Sequence, residues 1–448
     1  MIAYIAGVLF IAVGIGVSIA LHEIGHLVPA KRFGVKVTQY MVGFGPTVWS
    51  SRRGETEYGL KAIPLGGYIR MVGMFPPKPG DAPDRLRASS TGRFSQLMDQ
   101  ARQDSMDEVG PADRDRVFYK LSVPKKVTVM LGGPMMNFVI AAVLLTGIFT
   151  LYGVDVPKEG AVVATVSECV VPVQESTKTT CAPTDAKTPA YLAGLLPGDK
   201  LISINGQKVT SSGTLGDVIR PRADQPTVII LERDGKQQTV TLTPVKNTVA
   251  KTDPGGKAVL GADGRPVTVE AGFLGLSSRT PSALERQPIT AAPGYVGNAF
   301  VQTAGVVIRI PQKMVGIFQA AFGSGERDRN GPISVVGVGR IGGEVASADL
   351  GPGGTMSKLV FLLGLVASLN MALFVFNLVP LLPLDGGHVA GALWEGLKRR
   401  WAKLLGRADP GHVDVAKALP VAYTMAVVLI GMSALLIYAD IVKPISFL

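Results

Sequence analysis

The sequence predicts a polytopic α-helical membrane protein with four transmembrane helices, a membrane-proximal β-hairpin or sheet, and an inserted α+β domain outside the cytoplasm. Three observations predict this fold class. Of the 448 residues, 47% are hydrophobic and 18% charged, against roughly 25% charged in typical soluble domains. Four apolar stretches are long enough to cross a bilayer. A polar, strand-rich region separates the second stretch from the third.

The four candidate spans each reach the roughly 20 mainly apolar residues that a membrane-crossing helix needs. They cover residues 2–28, 127–152, 359–384 and 420–441. A secretory signal peptide is the alternative for the first span, but this stretch lacks a basic start and is longer than a signal peptide requires. We therefore expect it to remain in the mature protein, in the plasma membrane.

Loops that face the cytoplasm best explain the net charge of +11. Basic residues follow the first span, precede the second, and fill the loop between the third and the fourth. The positive-inside rule then places the connections 31–126 and 385–419 in the cytoplasm, with both termini and residues 153–358 outside it. We expect no nucleic-acid partner, because no basic face accompanies a recognition motif.

Residues 55–74 alternate between polar and apolar side chains and contain Pro64, Gly66 and Gly67. This pattern predicts strands or a hairpin beside the membrane. The polar stretch that follows, residues 75–115, indicates an inserted loop, to which we assign no chemistry.

The outer segment, residues 153–280, contains β-prone runs separated by turn formers. Its stretch 189–209 reads PAYLAGLLPGDKLISINGQKV, and an Asp234-Gly235 pair between two β-prone runs indicates a hairpin. The AGLxxGDxIxxING-like pattern resembles a bacterial PDZ domain, which binds a peptide by adding it to a sheet edge. A spacer of the same fold with an occluded groove is the alternative.

Two further features lie in the predicted outer region. Cys169 and Cys181 are expected to form a disulfide in an oxidising compartment, two buried thiols being the alternative. Within residues 281–358, residues 295–323 predict an amphipathic helix at the outer membrane surface or a core helix. The glycine-rich residues 331–343 predict a loop or re-entrant segment.

The sequence HEIGH, residues 22–26, lies in the first span. On a helix, His22 and His26 share one face and can bind one zinc ion, while Glu23 is placed to act on the attacking water as general base and then acid. Two structural core histidines are the alternative. Ionisable residues within a span are costly and usually functional, which favours the zinc site.

A catalytic zinc usually has three protein ligands, so a third ligand is needed. Asp385 is the first carboxylate after the uncharged third span, and the predicted topology brings it to the same side as HEIGH. His388 is a rival ligand. A role for Asp385 as a helix cap or turn residue, beside two glycines, is the alternative.

These motifs together resemble the site-2 protease family of intramembrane zinc metalloproteases. The resemblance rests on HExxH in the first span, the PDZ-like insert, and NLVPLLPLDG at residues 377–386, with GFGP at 43–46 and GGPMMNF at 132–138. It covers nearly the whole chain and is closest to the regulator-of-sigma-E type with four spans, in particular its actinobacterial members.

The resemblance implies one Zn²⁺ per chain, with Asp385 rather than His388 as third ligand. It also implies that Asn137 and Asn377 lie near the site and hold extended substrate, although a helix–helix hydrogen bond is the alternative for Asn377. The β-prone residues 55–74 would meet the substrate strand.

The implied activity is cleavage of single-pass membrane proteins within the bilayer, after a first protease has trimmed them outside. Anti-sigma factors are the expected substrates, and remnant signal peptides are a further possibility. The PDZ domain would then act as a size filter or bind newly exposed peptide carboxyl ends.

Two other functions remain open from the sequence. One is a membrane HExxH peptidase of the prenyl-protein or HtpX-like type, which usually has a glutamate as third ligand and lacks a PDZ domain. The other is a membrane-anchored PDZ adaptor without catalysis, which would bind no zinc.

Overall fold

The structure is a computed structural model that describes residues 1–76, 113–170, 181–182, 184–251, 259, 267–323, 327–328, 331–349 and 354–445. It divides into two compact units, which we describe separately. The first combines Met1–Tyr152 with Gln287–Leu448, and the second is Gly153–Arg286. Most of the predicted polar loop 75–115 lies outside the described residues.

Eight α-helices form the first unit within its described residues. They are α1 (Ile2–Arg32), α2 (Val123–Gly147), α3 (Ala292–Ile308), α4 (Ile310–Phe322), α5 (Val335–Ser347), α6 (Gly354–Asn377), α7 (Asp385–Leu404) and α8 (Leu419–Val442). Helix α2 continues into a π-helical turn, Ile148–Tyr152. By length and hydropathy, α1, α2 with this turn, α6 and α8 can cross a membrane, which confirms the four predicted spans.

The third span ends earlier than predicted. Helix α6 stops at Asn377, residues 378–384 are not helical, and Asp385 begins α7. Pro380 and Pro383 lie in this interval and lack the backbone N–H that an uninterrupted helix needs. Asp385 is therefore the first residue of a new helix rather than the end of the span, and the predicted loop 385–419 contains α7.

The glycine-rich segment is helical from Val335 onward, so the loop predicted for residues 331–343 is wrong, while the alternative of a re-entrant segment stays a prediction. Helix α5 begins after Ser334, whose hydroxyl caps it by accepting from the Gly337 N–H. A β-carbon on Gly7 of α1 would lie 2.2 Å from the Gly342 carbonyl oxygen, so the two backbones are in contact. Close packing between small residues offsets the poor helix propensity of glycine. The predicted helix at 295–323 is two helices, α3 and α4.

Helix α1 is held between α2 and α6. A β-carbon on Gly132 of α2 would lie 1.9 Å from the Gly25 carbonyl oxygen, so glycine at these positions permits the crossing. On the other side, the fully buried Asn370 of α6 donates from Nδ2 to Ser18 Oγ at 2.8 Å. These contacts fix the depth and rotation of the helix that carries HEIGH.

Strands β1 (Val37–Arg53) and β2 (Thr56–Met71) follow α1 and pair with each other, turning at Gly54. Residues 37–42 of β1 pair with two parts of β2, residues 67–71 and residues 57–60. The β-structure predicted for residues 55–74 is confirmed, but it is larger than expected because residues 37–53 supply its other strand.

The second unit is built on one antiparallel sheet. Its strand order is β11 (Leu276–Arg279), β4 (Ala161–Val166), β5 (Lys200–Ile204), β7 (Thr227–Arg233) and β8 (Lys236–Leu242), with β6 (Gln207–Lys208) paired to β5. Its core contains Leu201, Ile204, Ile229 and Leu231, all at most 1% exposed. Two short helices, Pro189–Leu192 and Ser212–Ile219, accompany the sheet. The other strands are β3 (Val154–Pro157), β9 (Val245–Ala250), β10 (Thr268–Phe273) and β12 (Ser282–Glu285).

Two local predictions for this unit are confirmed. Strands β7 and β8 form a hairpin around Asp234 and Gly235, both of which have positive φ, as a two-residue turn of this kind requires. Cys169 and Cys181 form a disulfide with their Cα atoms 5.9 Å apart.

Candidate metal centre and active site

Three side chains from two distant parts of the chain converge in the membrane unit. His22 and His26 lie one turn apart on α1, and their Nε2 atoms are 3.2 Å apart. Asp385, the first residue of α7, places Oδ2 at 3.4 Å from each of these nitrogens. The structure therefore brings together the three residues that the sequence predicts as ligands, in a nearly equilateral triangle of donor atoms.

The outer nitrogen of each imidazole has its own partner. His26 Nδ1 lies 2.8 Å from the Val129 carbonyl oxygen, to which it can donate. His22 Nδ1 lies 3.1 Å from the side-chain amide of Asn137. Donation from His26 Nδ1 to a carbonyl sets the tautomer that leaves its Nε2 free as a ligand, and the same holds for His22 when the Asn137 amide turns its oxygen to Nδ1. Both Nε2 atoms face each other and the Asp385 carboxylate.

The GGPMMN run of α2 accommodates this arrangement. A β-carbon on Gly133 would lie 2.1 Å from His26 Nε2, so any larger residue would displace the ring. One turn further on, Asn137 is 1% exposed and reaches His22. This run therefore supplies the space beside one histidine and the polar contact to the other.

Glu23 is 8% exposed and faces strand β2. A β-carbon on Gly67 would lie 3.0 Å from Glu23 Cγ, so this strand passes directly over the glutamate. The side chain of Glu23 therefore packs against an extended backbone segment.

The glycines after Asp385 permit the tight turn that positions it. A β-carbon on Gly386 would lie 2.3 Å from the Val379 carbonyl oxygen, and one on Gly387 would lie 2.6 Å from the Leu382 nitrogen. The 378–384 segment thus packs directly on the first turn of α7. The Asp385 carboxylate is thereby held facing the two imidazoles.

The donor set fits zinc. Ligands at about 2.0–2.2 Å from a tetrahedral zinc ion are separated by about 3.3 Å, and the three donor pairs here are 3.2–3.4 Å apart. Two imidazoles and one carboxylate leave the fourth tetrahedral position for water. Among the described residues this is the group that could hold a metal ion, and His388 is not part of it.

Two asparagines of α6 differ in their surroundings. Asn377, predicted as a substrate contact, is half-buried at the end of the helix and has no side-chain hydrogen bond among the described residues. Asn370 was not predicted, yet it is fully buried and donates to Ser18 of α1, one turn before His22. An asparagine in the middle of an apolar span is the signal that could have identified it.

Comparison with known proteins is consistent with this site. The description "Peptidase family M50" matches residues 10–407. The chain belongs to this family. It is 35% identical over 449 residues to the zinc metalloprotease Rip1 of Mycolicibacterium smegmatis, with 98% of each chain covered. The Rip1 of Mycobacterium tuberculosis is 34% identical over 447 residues, with 99% of this chain and 98% of that chain covered.

A more distant relative is the metalloprotease MmpA of Caulobacter vibrioides, which is 25% identical over 407 residues, 89% of each chain. Membership of peptidase family M50 confirms the predicted resemblance to site-2 proteases. The chain is an intramembrane zinc metalloprotease and a multi-pass membrane protein. This outcome disfavours both the adaptor without catalysis and the other HExxH peptidase types.

Proposed function

We propose that His22, His26 and Asp385 bind the zinc ion of this M50 peptidase and that Glu23 is its general base. The triangle of donor atoms, with sides of 3.2–3.4 Å, is the single observation that supports this most strongly. When bound, zinc supplies Lewis-acid chemistry that activates water and polarises the scissile carbonyl.

Glu23 moves the protons in this proposal. Its carboxylate takes a proton from the attacking water and then delivers it to the nitrogen of the departing chain. The geometry supports this role because Glu23 follows His22 directly on α1 and packs against β2 at Gly67. Burial keeps bulk water from competing for the proton.

The substrate binds in an extended conformation along β2. A transmembrane helix has its peptide groups bonded internally, so it must unwind before its backbone can be attacked. Residues 67–71 pair with residues 37–42 in the described β-structure, and this part of β2 lies against Glu23 at Gly67. An unwound substrate strand along this segment would pass beside the base, with the amide of Asn377 available to hold its backbone.

Asn137 has a different role from the substrate contact predicted for it. It is buried and its amide lies against His22 Nδ1, while its Oδ1 has no partner. A half-turn of the amide exchanges its two ends and lets the His22 Nδ1–H donate to Oδ1. Asn137 is then a positioning residue that orients the first ligand.

The substrates are single-pass membrane proteins that another protease has already trimmed, with anti-sigma factors as the expected class and remnant signal peptides as a second class. The basic loops support a cytoplasmic location for residues 31–126 and 385–419, with the second unit outside the cytoplasm. The cut would then release the cytoplasmic part of the substrate.

The second unit acts as a PDZ domain in this proposal. The β-strands and helices of Gly153–Arg286 support it, as does the AGLLPGDKLISING stretch. Asp199 of that stretch accepts from the Leu196 N–H at 2.8 Å and pairs with Arg233. The domain either excludes substrates whose outer part is too large or binds their newly exposed carboxyl ends.

Co-expression with a tagged, externally pre-trimmed single-pass substrate tests the assignment. We expect wild type to cut the substrate and Glu23→Gln to leave it intact while retaining zinc, because the three ligands are unchanged. Asp385→Ala should lose both zinc and activity. Zinc content of each purified variant is the second readout.

Each other outcome has a distinct meaning. Cutting by Glu23→Gln would assign the cleavage to another protease. An Asp385→Ala variant that retains zinc and activity would indicate a different third ligand, as in the other membrane HExxH peptidases. A wild-type chain that binds no zinc would contradict the site itself.

A further inference from the structure

Helix α7 has an exposed apolar stripe that the proposed catalysis does not use. At about 100° per residue, five large apolar side chains fall on one face of this helix. They are Leu393, Trp394, Leu397, Trp401 and Leu404, which are 50–84% exposed.

The opposite face of α7 is fixed to the protein. Ala392 and Glu395 are buried, and Glu395 is ion-paired at 2.8 Å with the buried Lys126 of α2. A β-carbon on Gly396 would lie 3.3 Å from Val123 at the start of α2. The helix therefore cannot rotate to bury its apolar stripe without breaking a buried ion pair.

Basic side chains border the stripe. Lys398 and Arg400 fall on its two edges and both are exposed. The Lys398 ammonium lies 5.5 Å from the centre of the Trp394 ring, so its stem runs along the apolar face while its charge stays at the edge. The two acidic residues of the helix, Asp385 and Glu395, point instead into the protein.

The position of α7 in the chain places it at a membrane surface. Only residues 378–384 separate it from the spanning helix α6, and the spanning helix α8 begins at Leu419. Tryptophan is enriched at membrane interfaces, and lysine and arginine beside an apolar face extend towards lipid headgroups. An apolar stripe with two cationic edges, next to two spans, is complementary to anionic lipid.

We propose that α7 is a lipid-binding helix, in which Leu393, Trp394, Leu397, Trp401 and Leu404 enter the bilayer interface and Lys398 and Arg400 bind anionic headgroups. The occupant is a lipid rather than a second copy of the chain, because a second copy would have to bring acidic groups to both edges of the stripe.

This lipid contact acts on the active site through the first residue of α7. Asp385 begins the same helix, so lipid bound along α7 restrains the carboxylate that faces His22 and His26. This consequence rests on the proposed function, whereas the lipid binding itself does not. Anionic lipid is then a positive regulator of metal retention.

Tryptophan quenching tests the binding directly. The chain contains three tryptophans, so Trp49→Phe confines the fluorescence to Trp394 and Trp401 of α7. The full-length variant is reconstituted in vesicles of phosphatidylcholine, or of equimolar phosphatidylcholine and phosphatidylglycerol, in which one lipid at a time carries brominated acyl chains. We expect brominated phosphatidylglycerol to quench with about fivefold higher apparent affinity than brominated phosphatidylcholine.

Charge reversal at the two edges should abolish the preference. Lys398→Glu/Arg400→Glu in the same background should be quenched equally by both lipids. Lys236→Glu/Lys246→Glu, which makes the same charge change in the second unit, should keep the wild-type preference. The comparison of lipids in one protein does not depend on how any variant folds.

Two results would overturn the proposal. Equal quenching of the parent protein by both lipids would mean that α7 does not select anionic headgroups. Tryptophans quenched by neither lipid would mean that protein, such as a second copy, covers the stripe. If the Lys398→Glu/Arg400→Glu variant loses the lipid preference but retains zinc, lipid binding by α7 stands and only its link to Asp385 is removed.

Discussion

Gly133 lies directly against His26, so that a β-carbon on the glycine would lie 2.1 Å from the imidazole Nε2. This nitrogen is also the atom that faces His22 and Asp385. The identity of residue 133 on α2 thus determines whether the His26 imidazole on α1 can reach its position. The backbone of one span sets the geometry of the proposed metal centre on another.

Gly133→Ala should therefore abolish zinc binding while the helices remain. Alanine is a better helix former than glycine, so the change does not destabilise α2 by itself, but its methyl group displaces the His26 ring. We expect the affinity for zinc, measured by competition with a chelator, to fall by at least about 100-fold.

Gly147→Ala is the matched control for this experiment. Gly147 is in the same helix, and a β-carbon there meets nothing within 4 Å, so zinc affinity should not change. If Gly133→Ala kept full zinc affinity, the position of His26 in the structure would be wrong.

Asn137 variants distinguish an orienting role from a substrate contact. Asn137→Leu removes the amide beside His22 Nδ1 and should weaken zinc binding by about 10–100-fold, the usual cost of losing such an outer partner. Asn137→Asp keeps an acceptor and should retain most of the affinity. A leucine variant with unchanged zinc affinity but a raised KM for substrate would instead support direct contact with the substrate.

The convergence of the three candidate ligands was predictable from the sequence, because the two histidines are one helical turn apart and Asp385 stands out as a carboxylate in an apolar stretch. His22 and His26 are one helical turn apart, and Asp385 is the first carboxylate after a long uncharged stretch. The spans were predictable for the same reason, since length and hydropathy define them. The largest difference in span boundaries is at the end of α6, because hydropathy does not register Pro380 and Pro383.

The features that the sequence did not predict depend on contacts between distant segments. Residues 335–343 are helical although rich in glycine, and the contact of Gly342 with Gly7 that accompanies this packing is in no local pattern. Lys126 and Glu395 are 269 positions apart, so neither residue reveals the other. The strand at 37–53 was missed because its pairing, not its composition, defines it.

The Lys126–Glu395 ion pair should make a large contribution to stability. The side chains are 6% and 2% exposed, with Nζ–Oε2 at 2.8 Å. Lys126→Met leaves a buried carboxylate with one cation fewer and should lower the free energy of unfolding in detergent micelles by about 3–5 kcal/mol. Lys126→Met/Glu395→Leu removes both charges and should recover much of this loss.

An exposed pair in the same unit provides the control. Lys120 and Asp115 have side chains that are 42% and 96% exposed, and Lys120→Met should change stability by less than about 1 kcal/mol. A double variant no more stable than Lys126→Met would show that the loss comes from packing rather than from the unpaired charge.

His412 should make the stability of this region depend on pH. Its Nδ1 lies 3.2 Å from Arg399 and 3.5 Å from Lys126. Burial, together with the charge on Lys126, holds the pKa of His412 below its usual value of 6.5, although Glu395 opposes the shift. The folded state therefore favours the neutral ring, while the unfolded chain takes up a proton near pH 6.5.

Because the folded pKa is lowered, the stability associated with His412 is present above pH 6.5 and is lost as the pH falls towards the folded pKa, by about 1.4 kcal/mol for each unit between the two values. His412→Gln cannot titrate, so its melting temperature should change less than that of wild type between pH 7.5 and 5.5, a range chosen to bracket the ordinary histidine pKa of about 6.5. Parallel curves for the two proteins would mean that His412 has the same pKa folded and unfolded. A wild-type protein that gains stability relative to His412→Gln on acidification would mean that Glu395 dominates and the ring is charged in the folded state.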